Sequence, residues 1–196
     1  MIFNRSKGND LMYENVDGSP FLADDFVPGE VIIDDSISYE SVPLRYNIYT
    51  DKIEFKNNQD QITEIDSPDH LYKFNLGARY FELIEYTEEG QTDRGILELL
   101  VDGHLKLYKK YNLEFQQAQK AIGYSDAQPD RFVRLEDQYL LAVEQGNPKT
   151  FKNAKVLIEN IKSLKPDISQ YIKKEKVRTK TEKGLIQLIQ YCNNNQ

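Results

Sequence analysis

Apolar and polar residues alternate through much of the chain up to residue 151, a pattern typical of β-strands that bury one face. The clearest case is VPLRYNIYTDKIEFKNN, Val42 to Asn58. A two-residue loop at Thr50 and Asp51 would place apolar side chains opposite one another and polar ones on the other face. The expected apolar pairs are Ile48 with Ile53 and Tyr46 with Phe55, and the expected polar pairs are Asn47 with Glu54 and Arg45 with Lys56. A longer loop of the same parity would keep the same faces.

Further short alternating segments end at turn residues. The expected strands are Glu30–Asp34 after Pro28-Gly29, His70–Leu76 after Ser67-Pro68-Asp69, and Arg79–Tyr86. Gly95 to Lys110 predicts a second hairpin, because Asp102-Gly103 is a strong turn dipeptide. A three-residue loop with a bulge is preferred, since it keeps Glu98 and Lys106 on the outer face; a two-residue loop would instead pair Leu100 with Leu105.

Residues 111–134 carry helix-forming Gln, Ala and Lys side chains that Gly123 and Pro129 interrupt. They predict a long loop with one helical turn. A last hairpin is expected from Gln138–Val143 and Thr150-Phe151 across Gln145-Gly146-Asn147.

The tail changes to a helical period. The first apolar stripe is formed by Ala154, Leu157, Ile158 and Ile161. Pro166 suits the start of a second helix, and Thr179 with Glu182 has the spacing of a capping box for a third.

This order of elements predicts an α+β protein: an antiparallel β-meander sheet of about six to eight strands, followed by C-terminal amphipathic helices that pack on it. The expected division is a β-rich domain over residues 1–151 and a helical segment over residues 152–193, together forming one compact unit. A chain of 196 residues is long enough to bury a core without disulfides.

The net charge of −7 is unevenly distributed. Residues 1–148 hold 14 Lys and Arg against 28 Asp and Glu, whereas residues 149–196 hold 11 against 4. The lone Cys192 is interpreted as a packing residue. No apolar run approaches the length of about 20 residues that a membrane span needs, and no signal peptide is evident at the start, so we expect no transmembrane segment.

The familiar signatures of catalysis and cofactor binding are absent from the sequence. It has neither a dinucleotide nor a P-loop glycine pattern, and no nucleophile elbow. His70 and His104 are interpreted as turn residues, and the acidic pairs Asp24-Asp25 and Asp34-Asp35, with Asp66 and Asp69, lack the spacing of a calcium loop. We therefore predict no catalytic, cofactor or metal residues.

A basic run, KKEKVRTKTEKG, offers the one candidate contact surface. Its candidate residues for an anionic partner are Lys173, Lys174, Lys176, Arg178, Lys180 and Lys183. The acidic remainder of the chain and the absence of interleaved aromatic residues argue against nucleic acid as that partner. A solvated turn between helices is the simpler interpretation.

Three strings, DGSPFLADDFVPGEV, VPLRYNIYTDKIEF and LLVDGHLKLYKK, ahead of a basic helical tail, resemble an uncharacterised group of small exported bacterial envelope proteins. The resemblance implies a periplasmic or surface location, with the export signal removed; without it, the missing signal favours the cytoplasm. The expected function is a non-catalytic, envelope-associated structural or binding protein with an unknown protein or envelope partner. The alternatives are a carboxylate-dependent hydrolase and a binder of anionic surfaces through the basic helices.

Overall fold

A computed structural model describes residue 13 and residues 16–65, 69–119 and 128–194. It is 47% strand, with three helices after the strands, which confirms the α+β class. The predicted turn at Ser67-Pro68, Asp66 and part of the predicted loop lie outside the described residues.

Twelve strands and three helices occur among these residues, so the predicted number of about six to eight strands is too low. The strands are β1 (Val27–Ile33), β2 (Ile37–Asn47), β3 (Lys52–Lys56), β4 (Ile62–Ile65), β5 (Tyr72–Leu76), β6 (Arg79–Glu88), β7 (Gln91–Val101), β8 (Leu105–Lys110), β9 (Leu113–Gln116), β10 (Arg131–Arg134), β11 (Gln138–Val143) and β12 (Lys149–Thr150). The helices are α1 (Ala154–Lys162), α2 (Ile168–Lys174) and α3 (Glu182–Asn194).

Internal contacts divide the chain into two interleaved units. Unit 1 comprises residues 1–84 and 111–137, and unit 2 comprises residues 85–110 and 138–196. Unit 2 therefore combines strands with all three helices. The predicted division at residue 151 stays a prediction.

The main sheet of unit 1 has the order β6-β5-β1-β2-β3-β4. The predicted simple meander is wrong, because β1 lies between β2 and β5 and pairs antiparallel with both. Both faces of β1 carry apolar side chains, which suits a central strand better than an edge. A separate two-stranded sheet joins β9 to β10.

The β2–β3 hairpin has the predicted faces but not the predicted partners. Tyr46 pairs with Ile53, and Leu44 pairs with Phe55. This register is offset by two residues from the expected one, because the strands end at Asn47 and resume at Lys52. Since side chains alternate with a period of two, an even offset leaves every side chain on its predicted face.

Pro28-Gly29 was expected to precede the first strand, but both residues lie within β1. The register of β1 with β2 shifts between Gly29 and Val31. A side chain at Gly29 would place its Cβ 2.3 Å from the backbone oxygen of Asn75 and 2.8 Å from Leu44 Cδ1. Glycine therefore permits the close approach of β5 to β1 at this irregularity.

The predicted long loop over residues 111–134 is wrong where the structure describes it. Residues 113–116 and 131–134 form paired strands, with Phe115 opposite Phe132. The helix-forming residues there are outweighed by cross-strand packing of two aromatic rings, whose centroids lie 5.3 Å apart.

Unit 2 contains a small closed barrel. Its strands follow the order β6-β7-β8-β11-β12, and β12 returns to β6 through the pairing of Lys149 with Thr87. The β7–β8 hairpin has the predicted three-residue connection and a register shift between Leu99 and Val101. Glu98 is opposite Lys109, however, so the expected grouping of Glu98 with Lys106 is wrong.

The predicted β11–β12 hairpin is confirmed, and α3 packs against β7 and β8, while α1 packs against α2. Their shared core contains Val101, Leu105, Leu107, Leu157, Ile161, Ile168, Leu185, Leu188, Ile189 and Cys192. Cys192 is thus a buried packing residue, and burial raises the pKa of its thiol to about 11.

The cap of α3 is Thr181 and not the predicted Thr179, because Thr181 Oγ1 accepts the hydrogen bond from the Gly184 amide.

We expect Gly184→Ala to destabilise unit 2, although alanine ordinarily favours a helix by up to about 1 kcal/mol. The added Cβ would lie 2.0 Å from the carbonyl oxygen of Arg178, so the turn before α3 must move. Such overpacking costs about 1–3 kcal/mol. Thermal unfolding followed by circular dichroism measures the change, with the exposed Gln190→Ala in the same helix as control. A Gly184→Ala protein as stable as the control would contradict this packing.

Candidate binding pocket

A pocket of about 290 Å³ opens on one face of the unit 1 sheet. Its lining is entirely apolar or aromatic: Val31, Ile33, Tyr39, Val42, Phe55, Ile65 and Tyr72. Each of the strands β1 to β5 contributes at least one of these residues. The volume is close to the lower end of the roughly 300–1,000 Å³ typical of small-molecule sites.

Strand pairing explains why these side chains converge. Val31 is opposite Tyr39, and Ile33 is opposite Tyr72, so both pairs share a face of the sheet. Phe55 lies two residues from Ile53, whose partner on β4 is Ile65. The period of two therefore directs these residues to the same side of the sheet.

The pocket continues into exposed apolar surface. Tyr39 is 47% exposed, and Ile37, which pairs with Ile33 on the same face, is 50% exposed. An apolar pocket bordered by exposed large hydrophobic residues is the arrangement expected of a contact site.

The opposite face of the same strands holds a buried ion pair. Arg45 Nη2 lies 2.6 Å from Glu54 Oε2, and Arg45 Nε donates to the same oxygen. Asn47 Nδ2 donates to the other carboxylate oxygen at 3.1 Å. Glu54 and Asn47 are fully buried, so this cluster makes its hydrogen bonds away from water.

The segment before β1 covers this cluster. The Arg45 guanidinium lies 3.5 Å from the ring centroid of Phe21 and 4.3 Å from that of Phe26. Arg45 also donates to the backbone oxygen of Asp24, and the Leu22 amide donates to the oxygen of Tyr46. Two aromatic rings and a backbone acceptor therefore replace the water around this charge.

The buried Tyr46 side chain hydrogen-bonds to the turn that joins β2 to β3. Its hydroxyl donates to Asp51 Oδ1 at 2.7 Å, and Asp51 has a positive φ of 52°. Burial, reinforced by the Asp51 carboxylate, raises the pKa of Tyr46 well above its ordinary value. The tyrosine therefore acts as a neutral hydrogen-bond donor at neutral pH.

Asp34 joins two strands beside the pocket. Its carboxylate accepts a hydrogen bond from the Leu71 amide at 2.9 Å and lies 2.6 Å from His70 Nδ1. These bonds, first the backbone amide and then His70, lower the pKa of Asp34. Asp34 follows Ile33, and Leu71 precedes Tyr72, so the contact holds two lining residues in register.

The six predicted basic contacts lie in unit 2, and all are exposed. Lys173 and Lys174 end α2, Lys183 lies in the first turn of α3, and the other three occupy the connection between these helices. Lys174 forms a loose ion pair with Glu175 at 3.8 Å. Of the six, Lys180 borders a groove beside α1.

Three of the remaining candidate groups have structural partners. His104 lies 3.8 Å from Glu144, Asp35 pairs with Lys73, and the Asp24 carboxylate accepts a hydrogen bond from Ser19. Within the part of the chain that the structure describes, no group of three or more acidic, histidine or cysteine side chains is arranged to hold a metal ion.

The sequence did not identify the pocket, although its alternating pattern contained a signal. Tyr46, Ile53 and Phe55 were correctly assigned to an apolar face. Which of these face residues would remain accessible depends on the bulge near Gly29 and on the neighbours of β1. Neither feature can be read from alternation alone.

No family model, curated protein or solved structure matches this chain. Over the residues with assigned placement, none of the helices has the length and hydrophobicity to cross a membrane.

We expect Glu54→Gln to destabilise the protein by about 3–5 kcal/mol, because it removes the negative charge that lies 2.6 Å from the buried Arg45 guanidinium. The double variant Arg45→Met, Glu54→Leu should lose much less, since it removes both charges together. Urea unfolding of the two variants measures the difference. Asp102→Asn, which breaks the exposed pair with Lys106, is the control and should cost about 1 kcal/mol or less. A Glu54→Gln cost as small as that of the control would contradict the role of this pair.

The Asp34 contact should weaken in acid. Because its folded pKa lies below the ordinary value of 3.8, its stabilising contribution is present above that value and is lost as the pH falls through the folded pKa. An NMR titration of the Leu71 amide shift should therefore show a midpoint below 3.8. The Asp34→Asn protein, which lacks the carboxylate, should lose this transition. A midpoint at or above the ordinary value would refute the hydrogen-bonded arrangement.

Proposed function

We propose that this protein is a non-catalytic, envelope-associated binding module that holds an alkyl chain of its ligand in the unit 1 pocket. The observation that carries the proposal is the pocket lining, in which seven apolar or aromatic residues from five strands surround about 290 Å³. Partly exposed Tyr39 and Ile37 extend this surface outward.

The chemistry of the lining favours an alkyl chain over a polar ligand. A polar group placed among Val31, Ile33, Val42 and Ile65 would lose its hydrogen bonds to water without replacement, which is costly. Each CH₂ group removed from water contributes about 0.8 kcal/mol. A flexible hydrocarbon needs no directional partner, so an apolar lining is sufficient to bind it.

The most deeply buried carboxylate of the main unit 1 sheet supports a non-catalytic role. Glu54 is opposite Glu64 in the β3–β4 pairing, and two neighbouring carboxylates are the kind of pair that a hydrolase uses. Both oxygens of Glu54 are already hydrogen-bonded, however, to Arg45 and Asn47. A carboxylate engaged in this way is suited to holding strands together and not to exchanging protons with a substrate.

The envelope location rests on the resemblance of the three sequence strings to exported bacterial proteins. Two of these strings include pocket residues: Val31 lies in the first, and Val42 with Phe55 in the second. An apolar pocket would suit an environment in which lipid-like ligands are abundant. The location and the ligand are separate parts of the proposal.

A neutral fluorescent probe, N-phenyl-1-naphthylamine, tests the pocket without involving charge. We expect saturable binding that decanol displaces and short alcohols do not, because only the longer chain fills the apolar volume. Val42→Trp should abolish binding by occupying the pocket. Ile32→Trp, on the opposite face of β1 and also half-buried, is the matched control and should bind normally.

Circular dichroism of both tryptophan variants establishes that each remains folded. Probe binding that is equal in the two folded variants would place the probe elsewhere and overturn the proposal. Loss of binding in Val42→Trp alone, together with displacement by decanol, would support it.

A further inference from the structure

A second concave surface lies in unit 2, separate in chemistry from the apolar pocket. It is a groove of about 570 Å³ between α1 and the residues that begin α2 and precede α3. Its polar lining includes Lys155, Lys162, Lys180, Ser169, Thr179 and Glu159. We refer to this surface as the lysine groove.

The lysines are spaced along the groove. Lys155 and Lys162 are seven residues apart on α1, which separates them by roughly 10 Å along the helix axis. Lys180 approaches from the connection before α3. Positive charges are therefore distributed along the groove and are not gathered at one point.

These charges are available to a ligand. All three lysines are exposed, and no carboxylate of the described residues forms an ion pair with any of them. Glu159 is the single acidic residue in the lining. Unit 2 as a whole has 15 Lys and Arg against 11 Asp and Glu, whereas unit 1 has 10 against 21.

We propose that the lysine groove binds a linear chain of phosphate groups through the negative charges of those phosphates. Lysines spaced in this way can contact successive phosphates of a chain without bending toward one point, as a single phosphate would require. The hydroxyl groups of Ser169 and Thr179 add donors for phosphate oxygens. A concave groove also suits a chain better than the flat surface of a bilayer.

The lining predicts how such a chain is recognised. Among the residues that the structure describes, the lining includes no aromatic ring, and its apolar members are Ala154 and Ile158. Single-stranded nucleic acids are usually held by bases stacked on aromatic side chains. The groove therefore recognises the phosphate groups and not bases. Inorganic polyphosphate and single-stranded DNA both present such a chain of phosphates.

Fluorescence anisotropy with labelled oligo(dT) tests the proposal on the full chain. Unlabelled polyphosphate should compete at similar phosphate concentrations, and inorganic phosphate should compete only at far higher concentrations. Replacing all three groove lysines, Lys155→Gln, Lys162→Gln and Lys180→Gln, should weaken binding by about tenfold or more and lower the slope of log affinity against log salt by about 2.

The matched control changes the same amount of charge outside the groove. It is the triple variant Lys173→Gln, Lys174→Gln and Lys176→Gln, whose side chains are exposed near the end of α2. Much smaller losses in this control would support the groove. Equal losses in the two triple variants would show general charge attraction and overturn it, as would failure of polyphosphate to compete.

Two further binding measurements distinguish polyphosphate, single-stranded DNA and a membrane surface as the ligand. Equal affinity for polyphosphate and oligo(dT) supports recognition of phosphate alone, whereas binding to oligo(dT) that polyphosphate cannot displace would refute it. Binding to phosphatidylglycerol vesicles that survives the groove substitutions and exceeds binding to polyphosphate would assign a membrane surface instead. Unchanged thermal melting of both triple variants confirms that folding is intact.

Discussion

Arg45 and Glu54 meet inside unit 1, where neither charge can be solvated by water, and their pairing constrains the strands around them. A residue opposite Arg45 other than Glu54 would leave two buried charges without partners, a cost of several kcal/mol. The ion pair therefore selects one register for β2 and β3. That register places Leu44, Tyr46, Ile53 and Phe55 on the other face, where the core and the pocket lie.

The same pair explains what could be predicted from the sequence and what could not. Alternation identified the faces of the β2–β3 hairpin because every register of the same parity buries the same residues. It could not choose between those registers, because the choice depends on burying the Arg45–Glu54 pair beneath Phe21 and Phe26, which lie about 20 residues before Arg45 in the chain. The helical tail was easier, since its apolar stripes depend on neighbours within a few residues.

The candidate sites were harder to predict than the fold for a related reason. The pocket is formed by residues of five strands whose order departs from their order in the chain, because β1 lies between β2 and β5. The lysine groove combines Lys155 and Lys162 with Lys180, of which only Lys180 belonged to the basic run noticed in the sequence. In both places, the lining residues come from segments that are distant in the sequence, so local sequence patterns do not show which residues will meet.

Gly29 has a consequence for how this protein can change over evolution. Because the strand beside it leaves no room for a Cβ, every substitution at this position disturbs the sheet. Tyr39 and Val42, by contrast, line the unit 1 pocket and are not fully buried, so we expect changes in their size to disturb the sheet less. Divergence from this sequence should therefore change the shape of the pocket through these two positions, while the glycine stays invariant.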